Sequence, residues 1–317
     1  MELRPIRIGV SACLLGEEVR FDGGHKRDDF LTAVLAPHVE FVPVCPEVEI
    51  GLGTPRETLR LVRRGARLRM ITTRSGIDHT DAMNHWAAGR LDALERENLS
   101  GYVLKKDSPS CGMERVKTYA GDEPPRRDGR GLFAAALLER MPLLPVEEEG
   151  RLADPVPREN FIERVFAYRR LQQLFEARWT VATLIQFHTA HKLSLLAHAT
   201  TSYRELGRLV ADASGRARER LRAEYSSLFM RTLAIPATRA KHTNVLQHAA
   251  GHLKTLLDGT SREELATTIL DYRHGLVPLI APLTLIRHHV RVHRVAYLEG
   301  QVYLEPDPGE LMLRNHV

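Results

Sequence analysis

Two different spacings of apolar residues divide the 317-residue chain. In the first half, short β-type runs alternate with amphipathic stretches. Ile6-Arg7-Ile8-Gly9-Val10 predicts a strand, followed by a turn-rich segment to Gly24. A short helix is expected over 28–35 and a second strand over 39–44, with Pro43 near its end, where a missing amide donor is tolerated. Residues 81–98 predict a helix that starts on Asp81 and sets Trp86, Leu91 and Leu94 in periodic positions. A third strand is expected over 101–105 and a further helix over 132–140. This alternation predicts an α/β domain with a largely parallel sheet over residues 1–150.

Glu147-Glu148-Glu149-Gly150 and the prolines Pro155 and Pro157 have the composition of a linker. Beyond it the period is helical. Helices are expected over 158–177, 180–188, 202–211, 217–233, 239–257, 261–274 and 278–297, with an irregular tail after Glu299. Ser261 followed by Glu264 reads as a capping box. Residues 151–317 therefore predict an all-α domain.

Composition narrows the class. With 43% hydrophobic residues the chain can build packed cores, which excludes disorder over most of its length. No apolar run approaches the roughly 18–20 residues that span a bilayer. The opening Met1-Glu2-Leu3-Arg4-Pro5 lacks the apolar core of a secretory signal, so a cytoplasmic location is expected. Charge is uneven: residues 1–150 carry 22 Lys and Arg against 24 Asp and Glu, and residues 151–317 carry 23 against 16. A basic half beside a near-neutral half suggests that one part holds a polyanion while the other does chemistry.

The chemistry points to three cysteines. Cys13, Cys45 and Cys111 each lie just beyond a predicted strand, and in open α/β sheets the loops at the carboxyl ends of strands converge on the ligand site. An odd number of widely spaced cysteines makes a poor disulfide framework. Three thiolates can hold zinc, with Asp22 or His25 as a fourth ligand, or an iron–sulfur cluster with one iron left open. Ligand type does not decide between them, although the lack of any Cys-x-x-Cys pair argues against a zinc ribbon.

Ser11-Ala12-Cys13-Leu14-Leu15-Gly16 with Val19-Arg20-Phe21-Asp22-Gly23-Gly24-His25-Lys26 resembles the opening motif of the thiouracil desulfidase family. Cys45-Pro46-Glu47-Val48 with Gly51-Leu52-Gly53-Thr54-Pro55-Arg56, and the segment from Lys105 to Gly112, resemble its other two motifs. The likeness covers about residues 5–147. Phe187-His188-Thr189-Ala190-His191-Lys192, Leu195-Leu196-Ala197-His198 and Lys241-His242-Thr243-Asn244 resemble a helical domain often fused to this one. The fused form is similar to desulfidases that remove sulfur from 4-thiouridine in tRNA.

The resemblance implies a [4Fe-4S] cluster on Cys13, Cys45 and Cys111 with its fourth iron free. It further implies a non-redox, hydrolytic reaction in which the open iron takes the thiocarbonyl sulfur and water attacks C4, giving uridine and sulfide. Glu47, two residues past Cys45, is then the expected general acid/base. Ser108 is the expected proton relay or substrate-orienting hydroxyl, with Ser110 as the other candidate, close enough to hydrogen-bond a cysteine sulfur. A free thiolated nucleobase as substrate, and a non-enzymatic cluster-bearing sensor that binds nucleic acid, are the competing readings.

Weaker signals complete the set. Gly23-Gly24 and Gly51–Gly53 are candidate cradling loops, with Lys26 or Arg56 meeting a phosphate. Lys105-Lys106 reads as an exposed charge pair. His188 with His191, and His248 with His252, share helix faces and are expected to be buried or RNA-facing. Arg216–Arg222 and Arg287–Arg294 are basic runs suited to the tRNA backbone, or else solvated helix faces.

Overall fold

In the computed structural model, which describes residues 5–65 and 67–315, the first apolar run forms strand β1, Arg7–Ser11. The chain divides into two units, one up to Ala153 and one from Asp154. No helix among the described residues is long and apolar enough to cross a membrane.

The first unit continues with β2 (Glu40–Val44), α1 (Pro46–Glu49), β3 (Leu59–Arg64), β4 (Arg67–Thr72) and α2 (Thr80–Arg96). It ends with β5 (Gly101–Leu104), β6 (Val116–Tyr119), β7 (Arg126–Gly129), α3 (Leu132–Arg140) and β8 (Val146–Glu148). Strands β2-β1-β5-β8 pair in that order as a parallel sheet. Its apolar strand residues Ile8, Val10, Val103 and Leu104 are completely buried. Met83, Ala87, Leu91 and Leu94 form the buried face of α2, and Trp86 meets Phe133 of α3 with ring centroids 5.4 Å apart. The expected α/β sheet is present. The segment expected as a short helix over 28–35 is a wide π-type turn over Phe30–Leu35 running into a 3₁₀ turn.

Two expectations are corrected. Strands β4-β3-β6-β7 form a second, mixed sheet that the hydrophobic pattern did not predict, because its strands carry arginines instead of a continuous apolar run. The acidic stretch read as a linker begins as β8, the parallel edge strand beside β5. Glu147 and Glu148 are buried in it, because their carboxylates accept hydrogen bonds and ion pairs from this unit.

The second unit is helical throughout. It comprises α4 (Pro155–Glu176), α5 (Val181–Ala190), α6 (Lys192–His198), α7 (Thr200–Ala211), α8 (Arg218–Leu233) and α9 (Arg239–Leu253). It then adds α10 (Gly259–His274), α11 (Ile280–His293) and the short α12 (Ala296–Glu299). Helix α6 was not predicted; only His191 separates it from α5. Leu193, Leu246, Leu279, Leu283 and Ile286 belong to one buried cluster. Asp258, not Ser261, caps α10, and accepts the Ser261 amide at 2.7 Å. The tail packs rather than dangling: Tyr303 is buried under Arg314, whose guanidinium lies 4.7 Å from its ring centroid.

Histidines form much of the polar interior. His188 and His191 lie among Phe187, Tyr225 and Phe229, and His242 Nδ1 is 2.9 Å from the Tyr303 hydroxyl. Burial pushes their pKa values down to about 4, 3 and 3 respectively, from 6.5. His198 behaves differently. Burial would lower it, but Glu163 at 3.1 Å raises it, while the same pairing overcomes burial to hold Glu163 down at about 2.

These shifts predict an acid-labile fold. The three depressed histidines contribute stability that is complete above about pH 6.5 and is lost as pH falls towards 4, because the unfolded chain binds their protons first. Glu159 and Asp307, raised by burial to about 7 and 6, work in the opposite sense over that window, but they are two groups against three. The Glu163–His198 pair stays charged there and adds little slope. The melting temperature followed by far-ultraviolet circular dichroism should therefore drop between pH 6.5 and pH 4, and His188→Phe should flatten the drop. A melting temperature that rises on acidification would mean the carboxylates dominate.

Candidate functional site

Parallel pairing sets the ends of three neighbouring strands level. Ser11 at the end of β1 pairs with Val44 at the end of β2, and Val10 pairs with Val103 of β5. Cys13 sits in the 3₁₀ turn leaving β1, Cys45 at the N-cap of α1 leaving β2, and Cys111 in the loop leaving β5. All three thiols line one cavity of about 330 Å³, together with Glu47, Arg56, Ser108 and Ser110. Burial raises all three thiol pKa values, Cys13 to about 11 against the opposing charge of Lys105. The charge of Cys45 adds to the rise at Cys13, and that of Cys13 to the rise at Cys111.

Glu47 is the hub of the polar groups. Its Oε2 receives a forked pair of bonds from Arg56, Nε at 2.9 Å and Nη2 at 2.7 Å, with only 6% of the Arg56 side chain exposed. Such two-pronged contact fixes orientation as well as charge. Its Oε1 accepts the Ser110 hydroxyl at 2.8 Å, and Ser110 Oγ lies 2.9 Å from Ser108 Oγ and 3.7 Å from Cys111 Sγ. Ser110, not Ser108, is therefore the hydroxyl in direct contact with Glu47. Ser108 Oγ accepts the amides of Ser110 and Cys111 at 3.3 and 3.1 Å, so it also shapes the cysteine turn. Arg56 corrects its sequence reading: its guanidinium is committed to Glu47 and to the Gly53 carbonyl, not free for a phosphate.

The residues taken for a linker brace the site from behind. Glu148 accepts the Met113 amide at 2.7 Å, two residues past Cys111. Glu149 takes Lys105 Nζ at 2.5 Å and the Lys106 amide at 2.8 Å, so this lysine pair is not simply exposed. Glu49 accepts the Cys45 amide at 3.2 Å and bridges to Arg90 of α2. Sequence reasoning missed these three glutamates; their one signal was charge adjacent to the cysteine motifs. Gly131 at the start of α3 allows close approach, since a Cβ there would lie 2.4 Å from the Ser110 carbonyl oxygen and 2.8 Å from the Cys111 nitrogen.

Other candidates fall elsewhere. Asp22 and His25 are exposed and bond within their own turn, to the amides of Gly24 and Arg27. Neither lines the cavity, which Lys26 does reach. Gly51 and Gly53 adopt left-handed φ values of 90° and 70°, so the turn geometry itself calls for glycine. No three His, Cys, Asp or Glu side chains among the described residues gather around a single metal-ion position. In the helical unit the arginine run is engaged internally: Arg216 and Arg220 share Glu224, Arg218 lies over Trp179, and Arg222 lies over Phe175.

Residues 8–149 match the family model described as 2-thiouracil desulfurase, and residues 192–308 match one described as a protein of unknown function, DUF1722. YbgA of Escherichia coli strain K12, an uncharacterized protein, is 37% identical over 153 residues, which are 48% of this chain and 90% of YbgA. YbbK of Bacillus subtilis strain 168, also uncharacterized, is 33% identical over 135 residues, 40% of this chain and 87% of YbbK. A solved structure described as the [4Fe-4S]-dependent thiouracil desulfidase TudS is 34% identical. It covers 47% of this chain and 93% of its own, with a TM-score of 0.39.

The close approach at Gly131 gives a direct test of the site's architecture. Gly131→Ala should push the Cys111 turn outward and raise the alkylation rate of this thiol, now 5% exposed, by about tenfold or more. Mass spectrometry of the labelled protein reads the change, and an unaltered rate would mean the turn absorbs the methyl group elsewhere.

Proposed function

The chain belongs to the 2-thiouracil desulfurase family through residues 8–149, and on that footing we propose that it is a [4Fe-4S]-dependent desulfidase converting 4-thiouridine in tRNA to uridine and sulfide. The observation that carries this reading is the meeting of Cys13, Cys45, Cys111 and Glu47 on one cavity at the carboxyl ends of three strands. The donor set fits the cluster. Three soft thiols reach the cavity from separate strand ends, whereas the candidate fourth ligands for a closed zinc site, Asp22 and His25, do not line it. Cys13, Cys45 and Cys111 would hold such a cluster without crowding around a single ion, and with only three protein ligands it would supply an open, soft Lewis-acid iron for the thiocarbonyl sulfur.

The chain's own residues supply the rest. Arg56 holds the Glu47 carboxylate rigid at the cavity wall, where it takes a proton from the attacking water as the C4–O bond forms. Ser110, bonded to Glu47 at 2.8 Å, carries that proton towards the departing sulfur, and Ser108 keeps Ser110 in place. One water is consumed, the C4–S bond breaks, and the sulfur leaves as sulfide with no net electron transfer. The positive balance of the helical unit supports tRNA as the substrate. A free thiolated base is the second reading, favoured by the ion pairing of Arg216 and Arg220 to Glu224.

Anaerobically purified protein should contain about four irons per chain, and Ala at Cys13, Cys45 or Cys111 should abolish both iron and sulfide release. Glu47→Ala should keep the iron and lose about 10²–10⁴-fold in turnover. Ser110→Ala should lose more than Ser108→Ala. Wild-type turnover in Glu47→Ala would overturn the mechanism. Bulk tRNA from a deletion strain should retain more 4-thiouridine than tRNA from the complemented strain, and equal content would remove tRNA as the substrate.

A further inference from the structure

The helical unit holds a cavity of its own, about 200 Å³ in volume. Glu159 and Glu163 of α4, His198 of α6, Arg239 and His242 of α9 and Tyr272 of α10 line it. Segments 195–198 and 241–244, which the thiol chemistry does not use, bring the two histidines here. Glu159 and Glu163 are four residues apart and so share one face of α4. Both are buried, as are His198 and His242, whereas Arg239 is exposed. The cavity therefore has a carboxylate floor and a cationic rim. The floor is short of donors. Glu163 Oε2 has His198 Nε2 at 3.1 Å, but the buried Glu159 Oε1 has no hydrogen-bond partner, and Arg314 Nε, 3.4 Å from it, is likewise unpartnered. A buried carboxylate left in this way carries its full desolvation cost. At the rim Arg239 donates Nη1 to the Tyr272 carbonyl at 2.8 Å, and no carboxylate pairs with it among the described residues. Its guanidinium lies 5.0 Å from the Tyr272 ring centroid and His242 meets the same ring edge-on, so the ring is not open for a nucleobase to stack on. Val156, Pro236 and Ala237 supply an apolar side suited to an aliphatic stem.

We propose that this cavity binds an amino acid with a basic side chain, its guanidinium or ammonium head on Glu159 and Glu163 and its carboxylate at Arg239. The inference goes beyond the desulfidase reading and does not depend on it, since no cysteine and no thiolated base enters the cavity. The surrounding charges admit such a head. Glu159 faces Glu163 on its own helix, His198 of α6, and Arg314 and Asp307 of the tail. Burial raises Glu159 to about 7 and Asp307 to about 6, while Glu163 and His198 hold each other charged and His242 is kept neutral by its fall to about 3. Tyr272 and Tyr303, raised by burial, stay neutral as well. An incoming cation thus meets one carboxylate already ionised and a second, Glu159, that ionises to receive it. Binding of the head and release of a proton are one linked event.

Isothermal titration calorimetry of the full chain tests this with two matched pairs: L-arginine and agmatine, L-lysine and cadaverine. The second member of each pair is the first without its carboxylate. At least one amino acid should bind, one molecule per chain, and its decarboxylated partner should bind about tenfold or more weakly, the scale of one charge-assisted hydrogen bond. Arg239→Gln should remove that preference and leave the binding of the amine unchanged. Glu159→Gln should weaken both members of the pair by about tenfold or more. From pH 6 to pH 8 the affinity of the wild type should rise about tenfold as the proton on Glu159 ceases to compete, and that of Glu159→Gln should stay level. If Glu159→Gln does not fold, Arg239→Gln, altered at an exposed position, still decides the assignment. The proposal is overturned if neither amino acid binds at millimolar concentration, if the amine binds as tightly as its amino acid, or if Arg239→Gln keeps the preference.

Discussion

The parallel register of β1 with β2 and β5 is the constraint on which the site depends. Three cysteines separated by dozens of residues meet only because their strands end at one level, Ser11 beside Val44 and Val10 beside Val103. A one-residue slip in either pairing would turn the strand's side chains to the opposite face and move its thiol off the cavity. The register is defended by burial on both faces, as expected for a parallel sheet, since Ile8, Val10, Val103 and Leu104 are wholly buried. What the sheet cannot fix is the conformation of the turns beyond it. Carboxylates do that: Glu49 holds the Cys45 turn and Glu148 holds the backbone beyond Cys111.

Within this frame Glu47 has two masters. One oxygen is clamped by Arg56 and the other is bonded to Ser110, so the carboxylate is positioned from both sides. Its one-turn helix is too short to orient it alone, and the fork from Arg56 replaces what a longer element would supply. The arrangement also explains why the cavity carries Arg56, Lys105 and Lys26 without being a simple anion trap. Arg56 and Lys105 are neutralised by Glu47 and Glu149, while Lys26 and Lys106 line the same cavity.

The parts of the fold that sequence made legible are those where one physical signal dominates. Apolar runs revealed β1, β2 and β5, and helical periodicity revealed α2, α3 and most of the second unit. The second sheet was hidden because Leu59-Arg60-Leu61-Val62-Arg63-Arg64 mixes arginines with short apolar stretches, and Arg126-Arg127-Asp128-Gly129 is exposed at its first three positions. A period-two alternation around Gly65 was the available sign. The glutamates at 147–149 failed for a different reason. Composition marks them as solvated, and only the tertiary fold shows that backbone amides and Lys105 are waiting for acceptors. Among the candidate site residues, the convergence of the cysteines was legible from their place after strands, and Glu47, which lines the same cavity, was singled out only through the family resemblance. The division of contacts between Ser108 and Ser110 was not legible, because two residues in one turn differ only in the direction each hydroxyl points.

Charge in the helical unit calls for a similar distinction between composition and availability. Its basic excess suggests a surface of free cations, yet Arg216 and Arg220 share one glutamate while Arg218 and Arg222 lie on aromatic rings. An ion-paired guanidinium has lost much of its attraction for phosphate. A guanidinium held over Trp179 or Phe175 keeps its charge, because the ring contact leaves N–H donors at its edge, although Arg218 gives one of them to the Trp179 carbonyl. Stacking also removes rotamer freedom that a mobile arginine would give up on binding. Of the four, Arg218 and Arg222 therefore keep the more available charge, and Arg220, although 75% exposed, has its charge paired to Glu224.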